Sequence, residues 1–117
     1  MTRHVLTVEL RNDPAAIAAY REHHNHVWPE VVESLRRAGV EQMDIHLLGR
    51  RLVMIVELRD GLDYRRVFES HEASSPRVAE WERLMRSLLE PPDSTSGGWW
   101  TLMEQVFSLN GRGAVAR

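Results

Sequence analysis

The order of strand-like and helix-like segments constrains the fold of this chain more than any other feature of its sequence. Strand-like segments are rich in Val, Ile, Leu and Thr and alternate, whereas helix-like segments repeat apolar residues every three or four positions. In chain order, the predicted elements are a strand at 4–10, a helix at about 14–38, strands at 40–48 and 51–58, a helix at about 76–90 and a strand at 99–109. This β-α-β-β-α-β order predicts an α+β, ferredoxin-like fold with one antiparallel sheet and both helices on one face.

Capping and turn residues mark where these elements begin and end. Asp13 and Pro14 supply a cap and a first-turn proline for the first helix, and Gly39 ends it. Gly49 makes a short turn that joins the two middle strands as a hairpin. Ser75, which precedes a proline, is predicted to cap the main piece of the second helical region.

Both faces of the predicted sheet carry apolar residues. Val53 and Ile55 point to one face, whereas Leu52, Met54 and Val56 point to the other. The helices cover one face only, so the second face of a chain of 117 residues would remain an exposed apolar patch. We therefore expect a homodimer formed through that face.

Charge and composition exclude several classes of function. The formal net charge of −2 gives no electrostatic basis for binding nucleic acid, and the absence of cysteine excludes disulfides and thiolate chemistry. No apolar run is long enough to span a bilayer, and residues 1–10 are typical of a strand instead of a signal peptide. We expect a soluble, cytoplasmic protein without a membrane partner, with a single domain at 1–110 and a flexible tail at 111–117.

One face of the first predicted helix carries polar chemistry where a plain core is expected. Tyr20, His24 and Trp28 are four residues apart, so they share an inward-facing stripe. Pro29 follows inside this pattern, and because it has no amide hydrogen the helix must kink or restart there. A histidine on such a stripe is most often a hydrogen-bonded core residue, but beside freed backbone carbonyls it is also a candidate acid–base group.

Further candidates are polar residues among apolar neighbours on the strands. Asp44 and His46 share one face of the second strand, Met43 lies on the other, and Glu104 lies in an apolar stretch of the last strand. Burial raises the pKa of a carboxylate and lowers that of an imidazole, which suits acid–base work near neutral pH. The alternative is that Asp44 and His46 are ordinary solvated residues of a sheet face.

The histidine-rich run does not predict a metal site. Adjacent imidazoles on a helix point about 100° apart, and His23, His24 and His26 lack the four-residue spacing of a helical zinc pair. Glu22 and His26 do have this spacing and are expected to pair on a solvated face. The sequence also carries no glycine-rich phosphate loop and no dinucleotide fingerprint, so no cofactor is predicted.

Three sequence elements together resemble a known family: Tyr20-x-x-x-His24-Asn25-x-x-Trp28-Pro29-Glu30, Trp81-x-x-x-Met85 and Val106-Phe107-x-Leu109. Set in this order of strands and helices, they are similar to the L-rhamnose mutarotase family, which includes relatives that act on L-fucose. The resemblance implies a dimeric α/β barrel in which two ferredoxin-like sheets face each other and the sugar lies between sheet and helix. It also implies interconversion of the α and β anomers of a 6-deoxy sugar, without cofactor or metal.

The resemblance also implies roles for individual residues. His24 matches the family's catalytic proton donor, Tyr20 a sugar-contacting residue, and Trp81 one of two neighbouring tryptophans that contact the substrate. The second tryptophan is Glu82 in this chain, and a sugar-contacting tyrosine on the second strand is Met43. The second strand and its turn look closer to the L-fucose branch, so L-fucose is predicted over L-rhamnose.

The chemistry of mutarotation agrees with these residue types. Ring opening needs an acid for the ring oxygen and a base for the anomeric hydroxyl, and an imidazole exchanges protons in both directions near neutral pH. Trp81 and Trp28 suit the apolar face of a deoxy sugar. Asp44, His46 and Glu104 are candidates for hydroxyl contacts or for the partner base.

Two other functions fit the same fold, since fold alone does not determine activity. One is a cofactor-free monooxygenase or a haem-degrading protein, which haem binding or oxygen consumption would reveal. The other is a non-catalytic barrel that only binds a ligand, in which the pKa of His24 would not respond to added sugar.

Overall fold

The computed structural model describes residues 1–92 and 99–111. In this part of the chain the elements are β1 (Thr2–Glu9), α1 (Pro14–Asn25), α2 (Pro29–Ala38), β2 (Val40–Leu48), β3 (Arg51–Leu58), α3 (Tyr64–Glu72), α4 (Pro76–Leu88) and β4 (Thr101–Leu102). Each helical region of the predicted order is therefore a pair of helices. The order of strands and helical regions agrees with the prediction.

The four strands form one antiparallel sheet in the order β2-β3-β1-β4. The hairpin partners β2 and β3 are adjacent, and β1 lies between β3 and β4. Two strands that are distant in sequence thus lie side by side at the centre of the sheet. This topology confirms the predicted α+β, ferredoxin-like fold.

Pro29 divides the first helical region into two helices. The helix predicted over 14–38 stops at Asn25, and a new one starts at Pro29. Trp28 has an extended backbone with ψ of 134°, the conformation that a following proline favours. Of the two outcomes expected at Pro29, the structure has a restart, because the proline occupies the first turn of α2, where no amide hydrogen is needed.

Local capping residues set the predicted ends of the helices. The Asp13 side chain accepts a hydrogen bond from Ala15 N at 3.0 Å, and the Ser75 side chain accepts one from Val78 N at 3.2 Å. Gly39 ends α2 with φ of +111°, in the left-handed region that favours glycine. These three predictions are confirmed.

The last strand is much shorter than predicted. Only Thr101 and Leu102 pair with β1, and Met103 N adds a hydrogen bond of 2.8 Å to the Val5 carbonyl. In this register residue 106 would lie opposite Thr2, where β1 begins, so the later residues have no strand beside them. The prediction of a strand over 99–109 was wrong in length: residues after 106 would run past the start of β1, and residues 104–106 do not pair although β1 extends beside them. Of the predicted tail at 111–117, residues 112–117 lie outside the described residues.

The core lies between the helices and one face of the sheet. Its buried residues include Leu6, Val56 and Leu58 from β1 and β3 and Val31 and Trp81 from the helices. Val53 and Ile55 point to the opposite face and are half-buried. Within residues 1–92 and 99–111, no helix is both long and apolar enough to cross a membrane.

Candidate active site

Tyr20 and His24 lie one turn apart near the C-terminal end of α1. Their rings stack with centroids 4.2 Å apart and planes inclined by 28°. Tyr20 is buried and His24 is half-buried. The four-residue spacing therefore places both side chains on the same inward face, as the helical pattern predicted.

A backbone hydrogen bond fixes the tautomer of His24. Its Nδ1 atom lies 2.9 Å from the carbonyl oxygen of Tyr20. Because a carbonyl oxygen only accepts, we assign the ring proton to Nδ1. The Nε2 atom of the neutral ring is then a proton acceptor, and after protonation it is a donor.

Burial lowers the pKa of His24 below its usual value of 6.5. The hydrogen bond to Tyr20 and the charge of Glu82 act in the opposite direction, whereas His23 lowers the pKa further. His24 is therefore mainly neutral at pH 7, with Nε2 ready to accept a proton. Burial, and next the charge of Glu82, raise the pKa of Tyr20, so its hydroxyl stays neutral.

Trp81 on α4 contacts the side chains of the α1 region. It is buried in α4, and its ring meets the rings of His24 and Trp28 edge to face, at centroid distances of 5.6 and 5.1 Å. The guanidinium of Arg77 lies 3.5 Å from the centre of the Trp28 ring. Trp28 is thus held between a cation and a second indole, although it lies outside both flanking helices.

These side chains line a cleft of about 1140 Å³ between the helices and the sheet. Met43 reaches the same cleft from β2, where it is half-buried on the helix-covered face. Trp99 and Trp100, which precede β4, line it as well. Five of the predicted site residues therefore line one cleft, and Trp28 packs against its wall. The five are Tyr20, His24, Trp81, Met43 and Asp44.

His46 and Glu104 lie apart from this group, and Asp44 joins it only at the edge strand. His46 is exposed and paired with Val53, on the sheet face opposite the helices. Asp44 reaches the rim of the cleft at the edge strand, but its carboxylate accepts hydrogen bonds of 3.1 and 3.3 Å from Gln42 Nε2. Glu104 is exposed beyond the end of β4. In a single chain, therefore, Asp44 is the one of these three residues that lines the cleft with His24.

The sequence pattern did not predict a buried hydrogen-bonded group at one wall of the cleft. Ser34 Oγ lies 2.8 Å from His71 Nδ1, and His71 Nε2 lies 3.5 Å from Glu82 Oε2. The one available signal was that His71 follows Val67 by four residues, on the buried face of α3. The contact with Ser34 joins positions 37 residues apart and cannot be inferred from local spacing.

The remaining histidines of the run do not line the cleft, although the ring of His23 meets that of Trp81 edge to face at 6.2 Å. His26 Nε2 lies 3.3 Å from Glu22 Oε2, which confirms the predicted surface pair. In the described part of the chain, no cluster of three or more His, Asp or Glu side chains is placed to hold a metal ion.

A comparison with known protein families identifies the chain. The family model of L-rhamnose mutarotase matches residues 3–109, which is nearly the whole chain. The chain belongs to the L-rhamnose mutarotase family. Membership confirms the resemblance and the predicted enzyme class, an isomerase acting on carbohydrates, and it does not favour the monooxygenase, haem-degrading or non-catalytic alternatives.

Individual relatives agree with this placement. The chain is 37% identical to an L-fucose mutarotase of Xanthomonas campestris over 94% of its own length and 90% of that protein. It is 47% identical to an L-rhamnose mutarotase of Jannaschia sp., over 69% of its own length and 76% of that protein. A solved L-rhamnose mutarotase of Formosa agariphila has a TM-score of 0.67 and covers 93% of this chain and 99% of its own. Its identity is 20%, so this likeness concerns the fold.

Proposed function

We propose that this chain is an aldose mutarotase that interconverts the α and β anomers of a 6-deoxy-L-sugar, with His24 as the proton-transfer group. The observation that carries the proposal is the hydrogen bond from His24 Nδ1 to the Tyr20 carbonyl. It leaves Nε2 as the acid–base atom of a half-buried imidazole that lines the cleft. Membership of the L-rhamnose mutarotase family supports the reaction class.

The reaction needs one proton to move from the anomeric hydroxyl to the ring oxygen. In the proposed mechanism, Nε2 of neutral His24 accepts the hydroxyl proton while the bond between the anomeric carbon and the ring oxygen breaks. The imidazolium then donates this proton to the ring oxygen, which gives the open-chain aldehyde. Rotation about the C1–C2 bond and reversal of the two transfers close the ring on the other face. Acid–base catalysis of this kind contributes about 10²–10⁴-fold.

Aromatic side chains supply the apolar part of the proposed sugar site. Trp81, with Trp28 packed against it, offers a surface for the C–H face and the methyl group of a deoxy sugar. The neutral hydroxyl of Tyr20 and the thioether of Met43 complete the proposed contacts from α1 and β2. His46 and Glu104 are not included in the site of a single chain because they do not line the cleft, whereas Asp44 remains a candidate at its edge.

Among deoxy sugars we favour L-fucose over L-rhamnose. The relative that matches 94% of the chain is an L-fucose mutarotase. The L-rhamnose mutarotase of Jannaschia sp. is more similar in sequence but matches only 69% of the chain. We therefore compare the rates of mutarotation of L-fucose and L-rhamnose with the same protein.

We also propose that the protein acts as a cytoplasmic homodimer with a dimeric α/β barrel. The half-buried residues Val53 and Ile55 on the sheet face opposite the helices support a second copy at that face. Val106, Phe107 and Leu109, which follow β4, add exposed apolar side chains.

Optical rotation of freshly dissolved L-fucose and L-rhamnose tests the function. The wild-type protein is expected to accelerate the approach to anomeric equilibrium in proportion to its concentration. The His24→Ala variant is expected to lose about 10²–10⁴-fold of this acceleration. Spontaneous rates for both sugars with the folded wild-type protein would refute the proposed function.

A further inference from the structure

A buried polar network lies behind one wall of the cleft. Ser34 on α2 and His71 on α3 are only 5% and 3% exposed. Ser34 Oγ lies 2.8 Å from His71 Nδ1 and 2.9 Å from Ser74 Oγ. Burying polar groups in a small core costs stability unless each one is hydrogen-bonded. Here Ser34, His71 and Ser74 are all hydrogen-bonded, so the network holds the His71 ring in one orientation.

The network ends at the carboxylate of Glu82. His71 Nε2 lies 3.5 Å from Glu82 Oε2, within ion-pair distance. A proton on His71 Nε2, the ring atom that faces Glu82 Oε2, makes this contact a hydrogen bond to the carboxylate. Side chains of two helices thus hold a carboxylate of a third. Ser34 is on α2 and His71 on α3, and the carboxylate of Glu82 is on α4.

Glu82 connects this network to the proposed site. It follows Trp81 in α4, keeps 29% of its side chain exposed and lines the same cleft as Tyr20 and His24. Its charge acts on the ionisation of both of these residues, so it lies within electrostatic reach of the stacked pair. The contact with His71 uses Oε2, which leaves Oε1 available to a ligand.

We propose that Glu82 accepts a hydrogen bond from a hydroxyl of the bound sugar and that His71, held by Ser34, positions its carboxylate. This inference rests on the proposed mutarotase function and adds a specificity-determining contact to it. Aromatic walls do not distinguish one hydroxyl arrangement from another, whereas a fixed acceptor does, because a sugar whose hydroxyl points elsewhere leaves the carboxylate unpaired. Glu82 therefore discriminates between epimers of the deoxy sugar.

The Glu82→Gln variant tests the contact, with Glu80→Gln as its matched control. Glu80 lies on the same helix, but its side chain is 57% exposed and pairs with Arg77 on the surface. For the preferred sugar, Glu82→Gln is expected to raise KM about 5- to 10-fold with a smaller change in kcat, because the neutral amide oxygen still accepts the hydrogen bond but more weakly than a carboxylate. Glu80→Gln is expected to keep the wild-type KM. A wild-type KM in folded Glu82→Gln would overturn the inference.

Two substitutions of His71 test the positioning role. The amide of His71→Gln can occupy the place of Nε2 and still donate toward Glu82, whereas the shorter amide of His71→Asn can replace only the contact with Ser34. Both variants are expected to unfold at a lower temperature than the wild type. Only His71→Asn is expected to raise KM, which a purely structural role would not predict. Equal KM values for the two variants would overturn the positioning role.

The outcomes separate this inference from the proposed function. If the wild type is active and Glu82→Gln has the same KM, the role of Glu82 is refuted and the proposed function is not. A wild type that accelerates neither sugar refutes the proposed function itself. If Glu82→Gln does not fold by circular dichroism, Glu82→Asp replaces it, since a shortened carboxylate retracts from the sugar and is also expected to raise KM.

Discussion

The side chain of His24 is held by neighbours that each determine a different property. The Tyr20 carbonyl fixes the tautomer, and the stacked Tyr20 ring together with the edge of Trp81 fixes the orientation of the imidazole. Burial sets its charge, because it lowers the pKa of the ring. Acid–base catalysis at a single atom requires all three, and here they come from two helices that meet at the cleft.

The lowered pKa of His24 makes the folded protein less stable at low pH. In the unfolded chain His24 takes up a proton near pH 6.5, whereas in the folded protein it does so only at lower pH. Between these values the unfolded state binds more protons, so the free energy of unfolding falls as the pH is lowered through this window. Urea unfolding is measured at pH values from 7.5 to 5. The free energy of unfolding is expected to fall more steeply over this range in the wild type than in His24→Gln. Parallel curves would contradict the burial argument.

The helices of the site are short elements whose ends are fixed by single residues. Pro29 separates α1 from α2 and thereby places Trp28 in the gap between them, beside Trp81. Gly39 then turns the chain from α2 into β2 within one residue. A β-carbon added at Gly39 would lie 2.3 Å from Leu62 Cδ1, so this junction is both left-handed and crowded.

Gly39→Ala is expected to destabilise the fold more than Gly61→Ala. Both glycines have positive φ, +111° and +86°, and an alanine in that region costs about 1–2 kcal/mol. Gly61 has open space around the added β-carbon, whereas at Gly39 the Leu62 side chain must also move. Chemical denaturation of the two variants and the wild type measures the difference. Equal losses would show that the contact with Leu62 has no cost.

Local rules predicted these junctions well because their causes lie within a few residues. The cap at Ser75, the restart at Pro29 and the left-handed end at Gly39 each follow from the chemistry of one side chain. The placement of Asp44 and Met43 on opposite faces also follows from strand alternation. What alternation does not reveal is which face the helices cover, and this decides that Met43 and not Asp44 lies deep in the cleft.

Local rules did not predict the interactions between elements that are distant in the sequence. The extent of β4 is set by its pairing with β1, which a local pattern does not contain, so the pattern at 99–109 predicted a longer strand than the structure has. The group formed by Ser34, His71 and Glu82 requires three helices to pack together. The spacing of His71 after Val67 indicates a buried position at most, and only the fold brings the three residues into contact.

At the scale of the whole molecule, one sheet face is not covered by any helix of residues 1–92 and 99–111. The residues that point there are mixed: Val5, Thr7, Val53 and Ile55 are half-buried and lie near exposed charges such as Arg51. Apolar residues near the end of the described chain, including Phe107, are exposed as well. Two copies that pack these surfaces together would bury both, which is the basis of the proposed homodimer.

Light scattering coupled to gel filtration tests this assembly. The wild type is expected to have twice the chain mass of 13.6 kDa. Ile55→Glu places a charge in the proposed interface and is expected to give a folded monomer or a much weaker dimer. Arg66→Glu, on the exposed surface of α3, is the matched control and is expected to stay dimeric. A wild-type monomer, or a dimer that tolerates Ile55→Glu, would contradict an interface at this face.

The role of His24 in proton transfer is tested most directly by anomer exchange at equilibrium, measured by magnetisation-transfer NMR on L-fucose and L-rhamnose. His26→Gln is the matched control, because His26 lies on the same run but pairs with Glu22 at the surface. The wild type and His26→Gln are expected to increase the exchange rate in proportion to enzyme concentration for at least one sugar. His24→Gln, folded by circular dichroism, is expected to leave exchange near the spontaneous rate, whereas wild-type exchange in His24→Gln would contradict the assignment of His24 as the proton-transfer group.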